Sequence, residues 1–319
     1  MTREPYRGAS FLALVGPTAS GKTSLSLHVA RRMEVEVISM DSRQVYRGMD
    51  VGTGKATPQE REGVPHHGLD IRNPHERYSA GAFSRDARRW MGEIRSRGRV
   101  PFLVGGTGFF LRALTDPMFR EPELDSQRLQ RLRQHLNGLP LDVLQRFLEE
   151  LDPARAEAAR WGGRQRLIRA LEIALLTGKS LSWWHREGAP AEEALEGLVF
   201  LLEHPRQELY RRINRRVERM VLEEGLLEEV RTLLAQGYGP EDPGMTGAGY
   251  REALAHLQGS LDLEGMIGEI QQSHRRYARR QITWFRHQLP AGAVVLDGRR
   301  PPEALSAEIV ARWERRKGT

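Results

Sequence analysis

The stretch GPTASGKT, residues 16–23, decides how this chain is read. It follows an apolar run, SFLALVG (10–16), and opens a segment of helical character that extends to about Met33. Gly16 and Gly21 permit a tight turn that aims backbone N–H groups at one point, at a helix N-terminus that favours an anion. Lys22 adds a point charge for terminal phosphates, and the Thr23 hydroxyl suits the coordination shell of a Mg²⁺ ion. With Pro17, Thr18, Ala19 and Ser20 closing the turn, residues 16–23 read as a cradle for a diphosphate or nucleotide. The cradle alone leaves open whether chemistry occurs at phosphorus or elsewhere on the ligand.

Working outward, VEVISMD (35–41) reads as a strand, 79–97 as a helix and VPFLVGG (100–106) as a further buried strand. Residues 120–195 show only charged amphipathic segments such as RQRLIRALEIALLTGK (164–179). EGLVFLLEH (196–204) returns to strand character, and a long Arg-rich helix is expected from there to about Gln236. A helix over 262–287, a strand AVVLDG (293–298) and a closing helix complete the pattern. Strand–helix alternation predicts an α/β fold: a P-loop NTPase-like parallel sheet flanked by helices, with an inserted all-helical domain. The expected boundaries are 1–118 and 196–319 for the core and 119–195 for the insertion.

Composition narrows the class. Lys and Arg number 49 against 42 acidic residues, a net charge of +7, and only Lys22, Lys55, Lys179 and Lys317 are lysines. Arginine's planar fork suits phosphate and stacks on bases, so a polyanionic partner is expected beside a compositional bias toward Arg. There is no Cys, which excludes a disulfide framework and a cysteine nucleophile. No apolar run approaches a membrane span and residues 1–10 lack the core of a signal peptide, so the expectation is a cytoplasmic protein, by default a monomer.

A second glycine cluster, VGGTG (104–108), should emerge at the same sheet edge as the cradle and offers the Thr107 hydroxyl there. The segment MDSRQVYRGMDVGTGK (40–55) brings Asp41 to that edge as well. In an ATP-dependent small-molecule kinase, Asp41 would serve Mg²⁺ or activate a hydroxyl; in another reading it takes a proton from a nitrogen nucleophile. A non-catalytic RNA-binding module with a nucleotide-sensing loop is a third reading. No Asn-Lys-x-Asp motif of a GTPase is present.

The ordered blocks GPTASGKT, DSRQVYRGMDVGTGK, PHHGLDIRNPHERYSAGAF (65–83), VGGTG, LYRRINRRVERM (209–220), GAGYREAL (247–254) and RRYARRQITWFR (275–286) span most of the chain. In them the sequence resembles the tRNA dimethylallyltransferase family. It departs from the family pattern at GTGKA (52–56), where Gly-Thr-Ala-Lys-Pro is usual, at His274, Arg275 and Arg276, where Thr-Arg-Gln is usual, and at Arg279, which replaces a Lys.

The resemblance implies chemistry at carbon. Dimethylallyl diphosphate would occupy the cradle, and its five-carbon group would move to N6 of the adenosine at tRNA position 37, beside the anticodon. It implies Asp41 as general base, Thr107 as the orienting hydroxyl, Arg212 as a further cation for the leaving diphosphate, and Mg²⁺ near Thr23. For tRNA contact it points to Asp41, Ser42, Arg43 and Gln44; to Gln165, Arg166, Leu167, Ile168 and Arg169; to Thr246, Gly247, Gly249, Tyr250 and Arg251; and to Arg279, Arg280, Gln281, Trp284 and Arg286. Basic residues interleaved with aromatics in 275–287 suit an RNA backbone and an unstacked base, although Trp284 and Phe285 taken alone read rather as core, with the arginines facing RNA. His66 and His67 lack companions at a spacing that would make a metal site.

Overall fold

The first strand, β1 (Phe11–Val15), is buried along its whole length, as a central strand covered on both faces must be. The computed structural model describes residues 10–61, 63–116, 119, 122–159, 163–188 and 192–317. After β1 come α1 (Lys22–Ala30), β2 (Val35–Ser39), β3 (His66–His67), α2 (Ala80–Ser96), β4 (Val100–Gly105) and α3 (Gly108–Thr115). Five helices follow: α4 (Ser126–Gly138), α5 (Leu141–Leu151), α6 (Pro153–Ala159), α7 (Arg164–Thr177) and α8 (Leu181–Glu187). The chain then runs through β5 (Gly197–Glu203), α9 (Arg206–Leu222), α10 (Leu226–Ala235), α11 (Tyr250–Leu257), α12 (Leu263–Gln288), β6 (Val294–Asp297) and α13 (Pro302–Lys317).

The six strands form one sheet in the order β3-β2-β4-β1-β5-β6, and every pair is parallel. It is an α/β fold with a parallel sheet flanked by helices. Register fixes what meets at the carboxyl edge. Val15 pairs with Gly105 and with Leu201, and Ser39 pairs with Val104. The loops after β1, β2, β4 and β5 therefore leave the sheet side by side. On one face Leu12, Leu14, Phe102 and Phe200 pack against Leu25 and Val29 of α1 and Ile309 and Trp313 of α13. A second cluster joins Val45, Tyr46 and Met49 to Ile213, Val217, Val230 and Ile270. It seats the segment after β2 on the helices that follow β5.

The long helix expected to reach Gln236 is two helices. α9 stops at Leu222, and Gly225, at φ +84°, occupies a left-handed conformation that reverses the chain before α10. The two-residue strand β3 is an addition to the expected pattern.

The described chain divides into two compact units, one made of 1–116 and 195–319, the other of 117–194. The second has its own core of Leu136, Leu144, Leu148, Leu167, Ile168 and Leu171. Within it, the fully buried Glu172 is answered by Arg133, whose Nε and Nη2 donate to the two carboxylate oxygens at 2.5 and 2.8 Å. Among the described residues no helix is long and apolar enough to cross a membrane.

Candidate active site

The loop between β1 and α1 is held by side chains from four directions. Lys22 Nζ donates to the Pro17 carbonyl (2.7 Å), Arg212 Nε to the Ala19 carbonyl (3.0 Å), and Arg216 Nη1 to Thr18 Oγ1 (3.2 Å). His204, immediately after β5, bonds the Ser20 carbonyl through Nε2 at 2.8 Å. Two backbone features explain the residue choice. Gly21 caps α1 at φ +92°, and Gly16 sits so close to β5 that a β-carbon would come within 2.7 Å of the Leu202 carbonyl oxygen. Ala19 is left-handed at φ +61°, a costly conformation for a residue with a β-carbon. With the carbonyls tied down, the N–H groups at the start of α1, which have no partner within the helix, are left for a ligand.

A cleft of about 790 Å³ opens over this loop, lined by Lys22, Thr23, Asp41, Arg212 and Arg216 among others. Its lining mixes cations with carboxylates, among them Asp41, Glu208 and Glu224. Burial, reinforced by Arg216 and only partly offset by Asp41, pulls the Lys22 ammonium down to about 7. Burial likewise lowers the Arg216 guanidinium from its usual value, again against the pull of Asp41. Arg216 also donates from Nη2 to the Thr53 carbonyl at 3.1 Å. Gly54, at φ +59°, makes room for it: a β-carbon there would come within 1.8 Å of Nη2. The departure from the family pattern at GTGKA thus has a direct neighbour.

Asp41 and Thr107 lie together because β2 and β4 are adjacent. Thr107 Oγ1 accepts from the Ser42 N–H at 3.1 Å, and Asp41 Oδ1 from the Arg43 N–H at 2.8 Å. The Tyr277 phenol feels both Thr107 and Asp41. Burial and the Asp41 charge push that phenol up to about 12. From the next turn of α12, Gln281 reaches into both glycine loops: Oε1 accepts from Thr18 N–H (2.9 Å) and Nε2 donates to the Gly106 carbonyl (2.8 Å). Trp284 lies over Gly108, where a β-carbon would come within 2.1 Å of the indole. His274, also buried on α12, is driven down to about 4 by desolvation and by Arg216.

The segment after β2 is braced from below. The Asp50, Val51 and Gly52 N–H groups donate to the Glu229 carboxylate at 2.7, 2.7 and 3.1 Å, and Tyr250 donates to the same carboxylate at 2.6 Å. Lys55, itself buried, donates to Asp50, Asp70 and the Tyr46 carbonyl.

The residues expected at an RNA surface divide by exposure. Gln165, Arg166, Thr246, Arg251, Arg279, Arg280 and Arg286 are exposed. Ser42, Arg43, Gln44, Arg169 and Trp284 are half-buried. Arg43 donates to the Pro243 carbonyl, and Gln44 bridges Ser39 and Gly54. Leu167, Ile168, Gly247, Gly249, Tyr250 and Gln281 are buried. The Leu167 and Ile168 side chains fill the core of their unit, so any contact from those two positions runs through backbone. Phe285 is core, at 2% exposure. His67 bonds the buried Glu36 carboxylate at 2.7 Å, and His66 Nδ1 bonds the Val64 carbonyl. Sequence reading missed Arg216 and the inward role of Gln281. The signal for Arg216 was its place four residues after Arg212, on the same helix face.

Comparison with known proteins places the chain in a family. The model of the family described as IPP transferase matches residues 44–288. A tRNA dimethylallyltransferase from Thermomicrobium roseum is 46% identical over 281 residues, covering 86% of this chain and 83% of the relative. One from Magnetococcus marinus is 42% identical over 276 residues, covering 85% and 90%. The crystal structure of a full-length tRNA isopentenylpyrophosphate transferase from Bacillus halodurans aligns with a TM-score of 0.69 at 37% identity, over 97% of this chain and 98% of that one. A eukaryotic dimethylallyltransferase, solved in snapshots of its action on tRNA, aligns with a TM-score of 0.77 at 29% identity, over 90% and 73%. The chain belongs to the IPP transferase family, the family of the tRNA dimethylallyltransferases.

Proposed function

We propose that this chain transfers the dimethylallyl group of dimethylallyl diphosphate to N6 of the adenosine at position 37 of tRNA, beside the anticodon. Membership of the family makes it a tRNA-modifying prenyltransferase. The observation that carries the finer reading is the grouping of Lys22, Arg212 and Arg216 in one cleft, where Asp41 acts on both Lys22 and Arg216 and Glu224 acts on Arg216 as well. Such a cleft suits a diphosphate that gains charge as it departs.

In the reaction the allylic C–O bond breaks as the C–N bond forms. Diphosphate leaves with the bonding electrons, and the amine proton goes to the Asp41 carboxylate. The loop amides and the three cations are preorganised donors for the oxygens on which charge develops. An exocyclic adenine amine is a poor nucleophile because its lone pair is delocalised into the ring, so a carboxylate in reach raises its reactivity. Thr107, whose hydroxyl oxygen is fixed by the Ser42 N–H, leaves β4 at the edge where Asp41 leaves β2. The oxygen donors Thr23 and Asp41 on the cleft wall fit a Mg²⁺ that takes its remaining ligands from diphosphate and water. Bound there, the ion would neutralise leaving-group charge. The exposed arginines of α12 suit a tRNA backbone, and the target base must leave its stack to reach the sheet edge.

The test is nucleoside mass spectrometry of tRNA incubated with the protein and dimethylallyl diphosphate. One adenosine gaining a single C5 unit is the expected result. Transfer of the γ-phosphoryl group of ATP to a small molecule, with unmodified tRNA, would overturn the reading.

A further inference from the structure

Gln281 lies on the helix that carries the exposed arginines, yet its side chain turns away from them and is 6% exposed. Its carboxamide is used twice, on loops far apart in sequence. Thr18 N–H of the phosphate loop donates to Oε1, and Nε2 donates to the Gly106 carbonyl of the second glycine loop. Gly106 is bare because the amide occupies the space of a side chain; a β-carbon there would come within 2.3 Å of Nε2 and 3.3 Å of the Gly16 carbonyl oxygen. The neighbouring turns of the helix act on the same loop. Four residues earlier, Tyr277 feels Thr107 of that loop, and three residues later Trp284 covers Gly108.

We propose that Gln281 is a positioning residue for the diphosphate cradle, setting the separation of the two glycine loops through one carboxamide. An amide is suited to this task because it offers a donor and an acceptor at the end of one chain. Thr18 is the point of leverage. Its N–H donates to Gln281, its hydroxyl oxygen accepts from Arg216, and it precedes the left-handed Ala19. Fixing the Thr18 peptide therefore fixes the direction in which the amides that follow approach a ligand. The role rests on the prenyl-transfer reading of the cleft and specifies how the diphosphate half of that site is held.

The experiment compares wild type with Gln281→Met, which keeps the length and loses both bonds, and Gln281→Glu, whose carboxylate meets the Gly106 carbonyl with no proton to give. Gly106→Ala disturbs the same contact while leaving Gln281 in place. Binding of inorganic diphosphate and of tRNA is measured separately, together with KM for dimethylallyl diphosphate and the melting temperature. The expected result is a rise of about tenfold or more in diphosphate Kd and KM in all three variants, with tRNA affinity within twofold of wild type. A diphosphate Kd within twofold of wild type in any folded variant would overturn the proposal. So would equal weakening of tRNA and diphosphate, or unfolding of all three variants, since either would mean that Gln281 holds the fold rather than the cradle. A wild-type protein that binds tRNA but neither diphosphate would instead defeat the underlying reading of the cleft, and this role with it.

Discussion

Arg212 and Arg216 stand one turn apart on α9 and grip adjacent residues of the phosphate loop, Arg212 at the Ala19 carbonyl and Arg216 at the Thr18 hydroxyl. The two are not equivalent. Arg216 is desolvated, shares its second nitrogen with Thr53 and depresses the Lys22 ammonium. Removing it takes away a preorganised donor and also lets Lys22 titrate higher. Arg216→Met should lower kcat/KM about 10²-fold, in line with loss of one transition-state donor. Arg216→Lys should recover little, because an ammonium cannot span Thr18 and Thr53 together. Steady-state kinetics with tRNA saturating checks both.

Asp41→Asn keeps an oxygen for the Arg43 N–H and removes only basicity. Turnover should fall at least 10²-fold while tRNA affinity stays near wild type. Turnover within tenfold of wild type would mean that the amine proton leaves by another route.

Lys22 supplies a pH signature. Its pKa of about 7 belongs to the cleft without an anion; a bound diphosphate favours the charged form and raises it. Binding should therefore take up a proton at pH 8, where the diphosphate is already ionised. Affinity should be greatest below pH 7 and decline as pH rises toward the pKa of the bound state. Calorimetry at pH 8 in buffers of different ionisation enthalpy reads the uptake, and Lys22→Met should abolish it.

His274 makes stability, rather than activity, depend on pH. Its folded value of about 4 lies below the ordinary 6.5, so between those limits the unfolded chain binds a proton that the folded chain refuses. Stability should fall as pH drops from about 6.5 to about 4, by roughly 1–2 kcal/mol at pH 5. In His274→Thr that slope should disappear. Urea midpoints at pH 7 and pH 5 make the comparison.

Exposed arginines on α12 should act through counterion release. tRNA affinity of the wild type should drop steeply with salt, and Arg279→Ala or Arg280→Ala should each reduce the log–log slope by about 1. A flat response would assign the Arg excess to composition.

The strands that build the sheet were legible because β1, β4 and β5 are rich in continuous apolar residues and β2 is β-branched around Glu36, the signature of strands covered on both faces. The meeting of Asp41, Thr107 and the phosphate loop followed from the same fact, since neighbouring parallel strands deliver their exits to one edge. β3 was not legible: two histidines form a strand only because β2 offers them an edge. The division of α9 from α10 turned on one glycine whose φ a pattern of charges does not reveal. Gln281 and Arg216 escaped for a related reason. A polar side chain on a helix in an Arg-rich chain reads as solvated, and only tertiary structure shows it turned inward.

The sheet is discontinuous in sequence, and that shapes how the chain is made. β1 is flanked by β4 on one side and β5 on the other, with all of 117–194 between those two partners in translation order. A ribosome therefore delivers β1 with one flank satisfied early and the other bare until the helical unit has emerged. For that interval an apolar strand of five residues shows unpaired backbone to solvent, where a holdase or another nascent chain could take it. The weak moment in this protein's life falls during its synthesis, before any ligand has a pocket to enter.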